Sequence, residues 1–226
     1  MFNGIARRYD LLNTMLSLGI DHRWRCVAAE AARLEAGDEA LDVCCGTGKL
    51  AEALHRTAPD ATIIGADFSR EMLATAIEDA GSTEALTFVP ILADALELPF
   101  PDATFDAVTV GFGIRNVADL ERGIAEMARV AKPGGRVVIL EFTPPTSVWC
   151  RPLFSFYLNV VLPWVGNLIS RSDLAAYTYL PKSVQAFPDP EALAAAMEAC
   201  GLVDVEYSLL TFGVAAIHVG TKREDG

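Results

Sequence analysis

No stretch of the 226-residue chain is apolar and uninterrupted enough to cross a bilayer as a helix. The nearest candidate is 148–169. It holds a single charge, Arg151, but Pro152, Pro163 and Gly166 break it and its aromatic residues are scattered. It therefore reads as an interrupted helical cap rather than a span. The opening run MFNGIARRYDLLNTML carries charges where a secretory signal needs an apolar stretch. Basic charge is scarce too. Lys and Arg total 18 against 30 Asp and Glu, a net charge of −12. That argues against non-specific nucleic-acid binding, which rests on Lys and Arg contacts to phosphate. It leaves room for a small cationic ligand. The three His (His22, His55, His218) are scattered and the five Cys (Cys26, Cys44, Cys45, Cys150, Cys200) form no C-x-x-C pair. No metal site is expected, and the unpatterned cysteines suit a reducing cytoplasm. Repeats and low-complexity tracts are absent. What remains is a chain that is 52% hydrophobic and 21% charged, enough for a sizeable core. Its mean hydropathy of +0.30 hints at an apolar partner.

From about residue 40 the pattern alternates short β-rich runs with helical ones. Strands are expected at 40–44, 61–67, 86–92, 105–112, 136–142, 203–209 and 214–220. Pro90 marks the third as an edge or a strand end. Helices are expected at 47–57, at 69–80 behind a Ser69 cap, and at 191–199. Another has Leu120, Ile124, Met127 and Ala131 on one face and stops at Lys132-Pro133-Gly134-Gly135. The fold class predicted is α/β: a doubly wound, mostly parallel, seven-stranded Rossmann-like sheet with an antiparallel last strand. We expect a single domain over 1–226, with an N-terminal helical lid at 1–35 and an inserted substrate cap at 144–185.

Ligands of such sheets bind beyond the carboxyl ends of the strands, so the loops there carry the chemistry. The first holds Asp42, Gly46, Thr47 and Gly48. Its glycines let a ligand approach the backbone, and Gly46-x-Gly48-x-x-Ala51 also fits a dinucleotide fingerprint. Asp42 separates the two readings. A carboxylate beside a pyrophosphate is repelled, whereas it favours the ammonium of an amino-acid moiety and the cationic sulfur of S-adenosylmethionine. The second loop offers Asp67 to two ribose hydroxyls, with Phe68 next to it. In the third, Asp94 accepts from an adenine amino group and Ala95 offers a backbone N–H. The fourth, Gly111-Phe112-Gly113-Ile114-Arg115-Asn116-Val117, admits a flat ligand and aims Arg115 and Asn116 into the mouth of the site. An Arg ending an apolar strand is hard to place in a core. The bland alternative is an ion pair with Asp119.

Together these runs resemble the demethylmenaquinone / ubiquinone biosynthesis C-methyltransferase family, within the class I S-adenosylmethionine-dependent methyltransferases. The matching segments are FNGIARRYDLLNTMLSLGIDHRWR (2–25), LDVCCGTG (41–48), ADALELPFPDATFDAVTVGFGIRNV (93–117), KPGGRVVILEF (132–142) and TFGVAAIHVGTK (211–222). Cys44-Cys45 and Gly111 resemble the menaquinone-side members more. Lys49 stands where the family commonly has an Asp.

The resemblance implies that Thr47, Asp67, Asp94 and Ala95 bind S-adenosylmethionine, that Tyr9 and Asp10 belong to a lid, and that Arg115 helps deprotonate the substrate through water. The cofactor set is then Asp42, Gly46, Thr47, Gly48, Asp67, Phe68, Asp94, Ala95, Gly111 and Tyr9. The catalytic set is Arg115 and Asn116, with Asp21 and His22 as reserve proton acceptors. A free Arg is a poor base, so Arg115 is assigned to phenolate stabilisation or water orientation. The expected reaction is C-methylation of demethylmenaquinol to menaquinol. C-methylation in ubiquinone biosynthesis, methylation of another phenol, a non-catalytic quinone-binding subunit and an NAD-dependent oxidoreductase are the alternatives. The partners expected are a prenylated quinol and a transient membrane surface, with no nucleic acid and with a homodimer left open. The location expected is cytoplasmic, at the inner face of the cell membrane. Aromatic and aliphatic residues of 148–169 are expected to house the prenyl tail, with Tyr177 and Tyr179 at its polar end.

Overall fold

The computed structural model describes residues 14, 17, 19–80, 88–143 and 183–224. The lid residues before Thr14, Tyr9 among them, and most of the 144–185 cap lie outside this set. The 148–169 tail path and Tyr177 and Tyr179 lie outside it as well.

Asp21–Ala32 forms helix α1, which buries Trp24, Ala28, Ala29 and Ala32 at helical spacing. Arg33 ends it in the left-handed conformation at φ 50°. The alternating region then runs β1 (Glu39–Val43), α2 (Lys49–Thr57), β2 (Thr62–Asp67), α3 (Arg70–Ala80) and β3 (Phe88–Leu92). It continues with β4 (Phe105–Gly111), a 3₁₀ turn (Ile114–Asn116), α4 (Leu120–Val130) and β5 (Ala131–Phe142). Last come α5 (Pro190–Ala199), β6 (Leu202–Leu210), a 3₁₀ turn (Thr211–Gly213) and β7 (Ala215–Lys222). Asp side chains start two helices: Asp119 accepts from the Arg122 amide and Asp189 from the Ala192 amide. Pro190 follows Asp189 in the first turn, where its missing N–H costs nothing.

Among the described residues the strands form one sheet in the order β3-β2-β1-β4-β5-β7-β6. The pairs from β3 to β5 are parallel, and β7 lies antiparallel to both β5 and β6. The mostly parallel seven-stranded sheet is therefore as expected, with Pro90 on the edge strand β3. Two boundaries differ. α4 stops at Val130 and Ala131 already pairs with Phe105, so Ala131 belongs to β5 and not to the helix. Lys132 is held there by its ammonium, 2.9 and 2.8 Å from the two Asp106 carboxylate oxygens.

Alternate residues of the central strands feed two apolar layers. One joins Trp24, Ala28, Leu50, Leu54, Val138 and Leu140 under α1 and α2. The other joins Leu41, Val108, Ile124, Met127, Val137, Ile139 and Leu193 under α4 and α5. With both faces covered, polar groups are left to the loops at the strand ends. His218 is an exception. It is buried on β7, stacks on Tyr207 at 5.3 Å, and its Nε2 lies 2.8 Å from the Pro190 carbonyl.

Candidate functional site

At the carboxyl end of β1, β2 and β4 the loops enclose a cavity of about 350 Å³. Its lining runs from Asp42 to Thr47, takes Asp67 and Phe68 from the second loop, Asp94 and Ala95 from the third, and Gly111, Phe112, Gly113 and Asn116 from the fourth. α1 adds Arg25 and α2 adds Lys49.

Asp42 sits one residue from the end of β1, wholly buried. The Thr109 hydroxyl, directly across on β4, donates to its Oδ1 at 3.0 Å. Its Oδ2 is buried and, among the described residues, accepts no hydrogen bond. Burial pushes its pKa up from 3.8 to about 7. The Thr109 hydrogen bond and the Arg25 charge oppose that rise, while the Asp67 charge adds to it. A carboxylate left this way, aimed into a cavity, is costly unless a cation comes to it.

Asp67 ends β2. Its Oδ2 accepts from the Gly46 amide and its Oδ1 from the Ser69 amide, each at 2.8 Å. Those bonds hold the loops after β1 and β2 together. Burial raises its pKa, and the amides that donate to it work against the rise. Gly46, at φ 56°, and Gly48, at φ 80°, supply the left-handed backbone that turns β1 into α2. Cys44 adopts a left-handed φ of 53° without being glycine, so strain is concentrated in the same turn. Burial raises the thiol pKa of both Cys44 and Cys45, which keeps them protonated and inert. Asp94 Oδ1 accepts from the Leu96 amide at 2.9 Å, closing the third loop. Phe68 stands 80% exposed on the rim, a flat apolar surface facing the opening.

The family model of the ubiE/COQ5 methyltransferase family matches residues 1–222 of this chain. The chain belongs to that family. It is 52% identical to a demethylmenaquinone methyltransferase of Thermus thermophilus over 222 residues, which cover 98% of this chain and 100% of the relative. A demethylmenaquinone methyltransferase of Deinococcus radiodurans is 50% identical, covering 99% of this chain and 91% of the relative. The ubiquinone/menaquinone biosynthesis C-methyltransferase UbiE of Geobacter sulfurreducens is 46% identical, covering 98% of this chain and 87% of the relative. Among solved structures, the fold matches the complex of the Haloferax volcanii Trm112 methyltransferase activator with its putative methyltransferase at a TM-score of 0.69. Identity there is 19%, over 99% of this chain and 98% of that one. It also matches a Haemonchus contortus phosphoethanolamine N-methyltransferase bound to S-adenosylhomocysteine at 0.64, with 16% identity over 86% of this chain and 51% of that one.

In this member of the ubiE/COQ5 family the cavity brings together Asp42, Gly46, Thr47, Asp67, Phe68, Asp94, Ala95 and Gly111. Gly48 caps α2 and does not line the cavity. On the catalytic side the arrangement departs from expectation. Asn116 lines the cavity but Arg115 does not. The Arg115 side chain is fully buried, with Nη1 2.6 Å from Glu141 Oε1 and 2.6 Å from the Phe112 carbonyl. It turns inward because Glu141, at the end of β5, is buried and needs a cation. Burial pushes the Glu141 pKa up, and the Arg115 charge counters it. The alternative partner, Asp119, instead caps α4. Asp21 is buried and committed to Arg25 and Ser17. His22 is exposed on α1, its Nδ1 2.6 Å from the Gly19 carbonyl. Neither reserve acceptor reaches the cavity lining.

Sequence reasoning missed Arg25 and Glu141. The first had a local signal, the Asp21/Arg25 spacing of four on one helix face. The second had none, because its partner lies 26 residues away on another loop.

Proposed function

We propose that this chain transfers a methyl group from S-adenosylmethionine to a ring carbon of a reduced prenylated quinone, converting demethylmenaquinol to menaquinol. The observation that carries the cofactor half is the buried, unsatisfied Oδ2 of Asp42 over a glycine turn. It suits an ammonium and repels a pyrophosphate, which disfavours the dinucleotide reading. The names of the Thermus thermophilus and Deinococcus radiodurans relatives support the acceptor.

S-adenosylmethionine supplies an electrophilic methyl group when bound. The chain's own part is to hold, orient and exclude water. Asp42 takes the ammonium. Asp67, already fixed by two amides, takes the ribose hydroxyls. Asp94 and Ala95 meet the adenine, and Phe68 covers it. On the acceptor side Asn116 presents its amide to the quinol hydroxyl. Arg115 and Glu141, paired and buried behind the fourth loop, hold Asn116 in position rather than touching the substrate. The flat ring approaches by Gly111 and Gly113 in the cavity lining. The lid at 1–35 and the cap at 144–185 enclose it, and the cap carries the prenyl tail. A passing contact with the inner membrane surface delivers the substrate. No helix among the described residues is long and apolar enough to cross a membrane.

The test is a transfer assay under reducing conditions. Labelled S-adenosylmethionine is offered with demethylmenaquinol and, separately, with a demethylated ubiquinol precursor, and products are read by mass spectrometry. Label on a ring carbon of the naphthoquinol is expected. Label on the benzoquinol alone, or on an oxygen, overturns the acceptor assignment.

A further inference from the structure

Two basic side chains line the cavity among the described residues, Lys49 and Arg25. Lys49 is turned to the acids of its own neighbourhood, with Nζ 2.9 Å from Asp79 and 3.8 Å from Glu52. Arg25 is placed differently. Its side chain is 9% exposed and its guanidinium lies over the Phe112 ring, 5.3 Å from the centroid. Phe112 continues β4 three residues beyond Thr109, the residue that holds Asp42. The Arg25 charge accordingly reaches Asp42. A relay fixes the guanidinium from behind: Ser17 Oγ donates to Asp21 Oδ1 at 2.9 Å, and Asp21 Oδ2 accepts from Arg25 Nη1.

An amino-acid end bears an ammonium and a carboxylate on one carbon. Seating the ammonium on Asp42 drives the carboxylate into a cavity already holding Asp42, Asp67 and Asp94. That repulsion needs a cation alongside, fixed and poorly hydrated, which describes a guanidinium over an aromatic face. We propose that Arg25 binds the carboxylate of the ligand's amino-acid end, so that Asp42 and Arg25 read the zwitterion as a pair. The inference rests on the S-adenosylmethionine reading of the cavity. It makes Asp21 and Ser17 positioning residues, because they aim Arg25 without touching the ligand.

The test pairs two ligands with two variants. S-adenosylmethionine and its decarboxylated analogue differ only in the carboxylate. Wild type should bind the former tighter by on the order of 10- to 100-fold, the usual worth of a charged hydrogen bond. Arg25→Gln should erase that preference, with affinity for S-adenosylmethionine falling by more than affinity for the decarboxylated analogue. Arg25→Lys should keep part of it, and a thermal melt reports whether each variant folds. Equal weakening of both ligands in Arg25→Gln would show a purely structural role and overturn the proposal. So would a preference that survives the substitution, or a wild type that binds both ligands equally. If wild type binds neither ligand, the S-adenosylmethionine reading falls and takes this inference with it.

Discussion

Replacing Asp42 by asparagine should make the protein more stable and nearly unable to hold its ligand. The carboxyl has a folded pKa of about 7 against an ordinary 3.8. A raised folded pKa means its contribution to stability is complete below the unfolded value and is lost as pH rises through about 7. Above that, keeping Asp42 ionised and buried costs roughly 4 kcal/mol, at 1.36 kcal/mol per pKa unit. Asparagine retains the Thr109 hydrogen bond but leaves an amide N–H unpaired, at about 1–3 kcal/mol. The net gain near pH 8 is therefore roughly 1–3 kcal/mol, or about 2–10 °C in melting temperature for a chain of this size. Near pH 4, where Asp42 is protonated, the gain should give way to a loss of about 1–3 kcal/mol. Binding moves the opposite way. Below pH 7 the free wild-type carboxyl must lose a proton to meet the ammonium, so affinity for S-adenosylhomocysteine should fall toward tenfold per pH unit. That is about 50-fold between pH 7 and pH 5. The other charged groups around Asp42 are Arg25 and Asp67, and the raised pKa of Asp67 adds a slope of the same sign. Calorimetry on wild type and Asp42→Asn separates them, because only the Asp42 share disappears in the variant. An Asp42→Asn protein that melts no higher at pH 8, or a wild-type affinity that is flat from pH 5 to pH 7, would refute the argument.

Three further outcomes are expected. Asp67→Ala should lower affinity for S-adenosylhomocysteine at least about tenfold while the far-ultraviolet circular dichroism stays unchanged, since each oxygen serves one loop amide and the ribose; unchanged affinity by calorimetry would remove Asp67 from the site. Arg115→Ala should abolish methyl transfer, retain cofactor affinity, and cost about 3–5 kcal/mol by stranding Glu141, with Arg115→Ala plus Glu141→Ala regaining part of that stability in urea melts but no activity. Gly113→Ala should destabilise by about 1–3 kcal/mol, because a Cβ there would stand 2.4 Å from that of Cys44, and Cys44→Gly should rescue it in the same melt.

The acids of the cavity were legible because each lies within two residues of a strand's end. Asp42, Asp67 and Asp94 follow short apolar runs, and strand ends in a parallel sheet all face one side. Pro90 announced its edge position for the same local reason, a missing N–H. What stayed hidden depends on packing at long range. Trp24, Phe112 and Phe142 cluster with centroids 4.5–6.2 Å apart, and that cluster helps set α1 against β4 so that Arg25 lines the cavity. Arg115 was misread because sequence nearness suggested Asp119, whereas the strand order brings Glu141 of β5 beside it. The period of a strand predicts which face a residue occupies; which neighbour it meets there follows from the order of the sheet.

The two points where the chain leaves and re-enters the described fold near the cap are both clamped. Thr143 donates from its amide to Val214 and from its hydroxyl to Gly213, while Val184 is buried in the layer under α1 and α2. The Thr211-Phe212-Gly213 turn that receives Thr143 has left-handed backbone at every position, and Trp24 donates to its Thr211 hydroxyl at 3.0 Å. A rigid socket of this kind fixes the two points between which the intervening chain must run. Closing a longer loop between fixed posts adds only about 0.6 kcal/mol per doubling of its length. Residues 144–182 can then lengthen or shorten at little cost to the folded sheet.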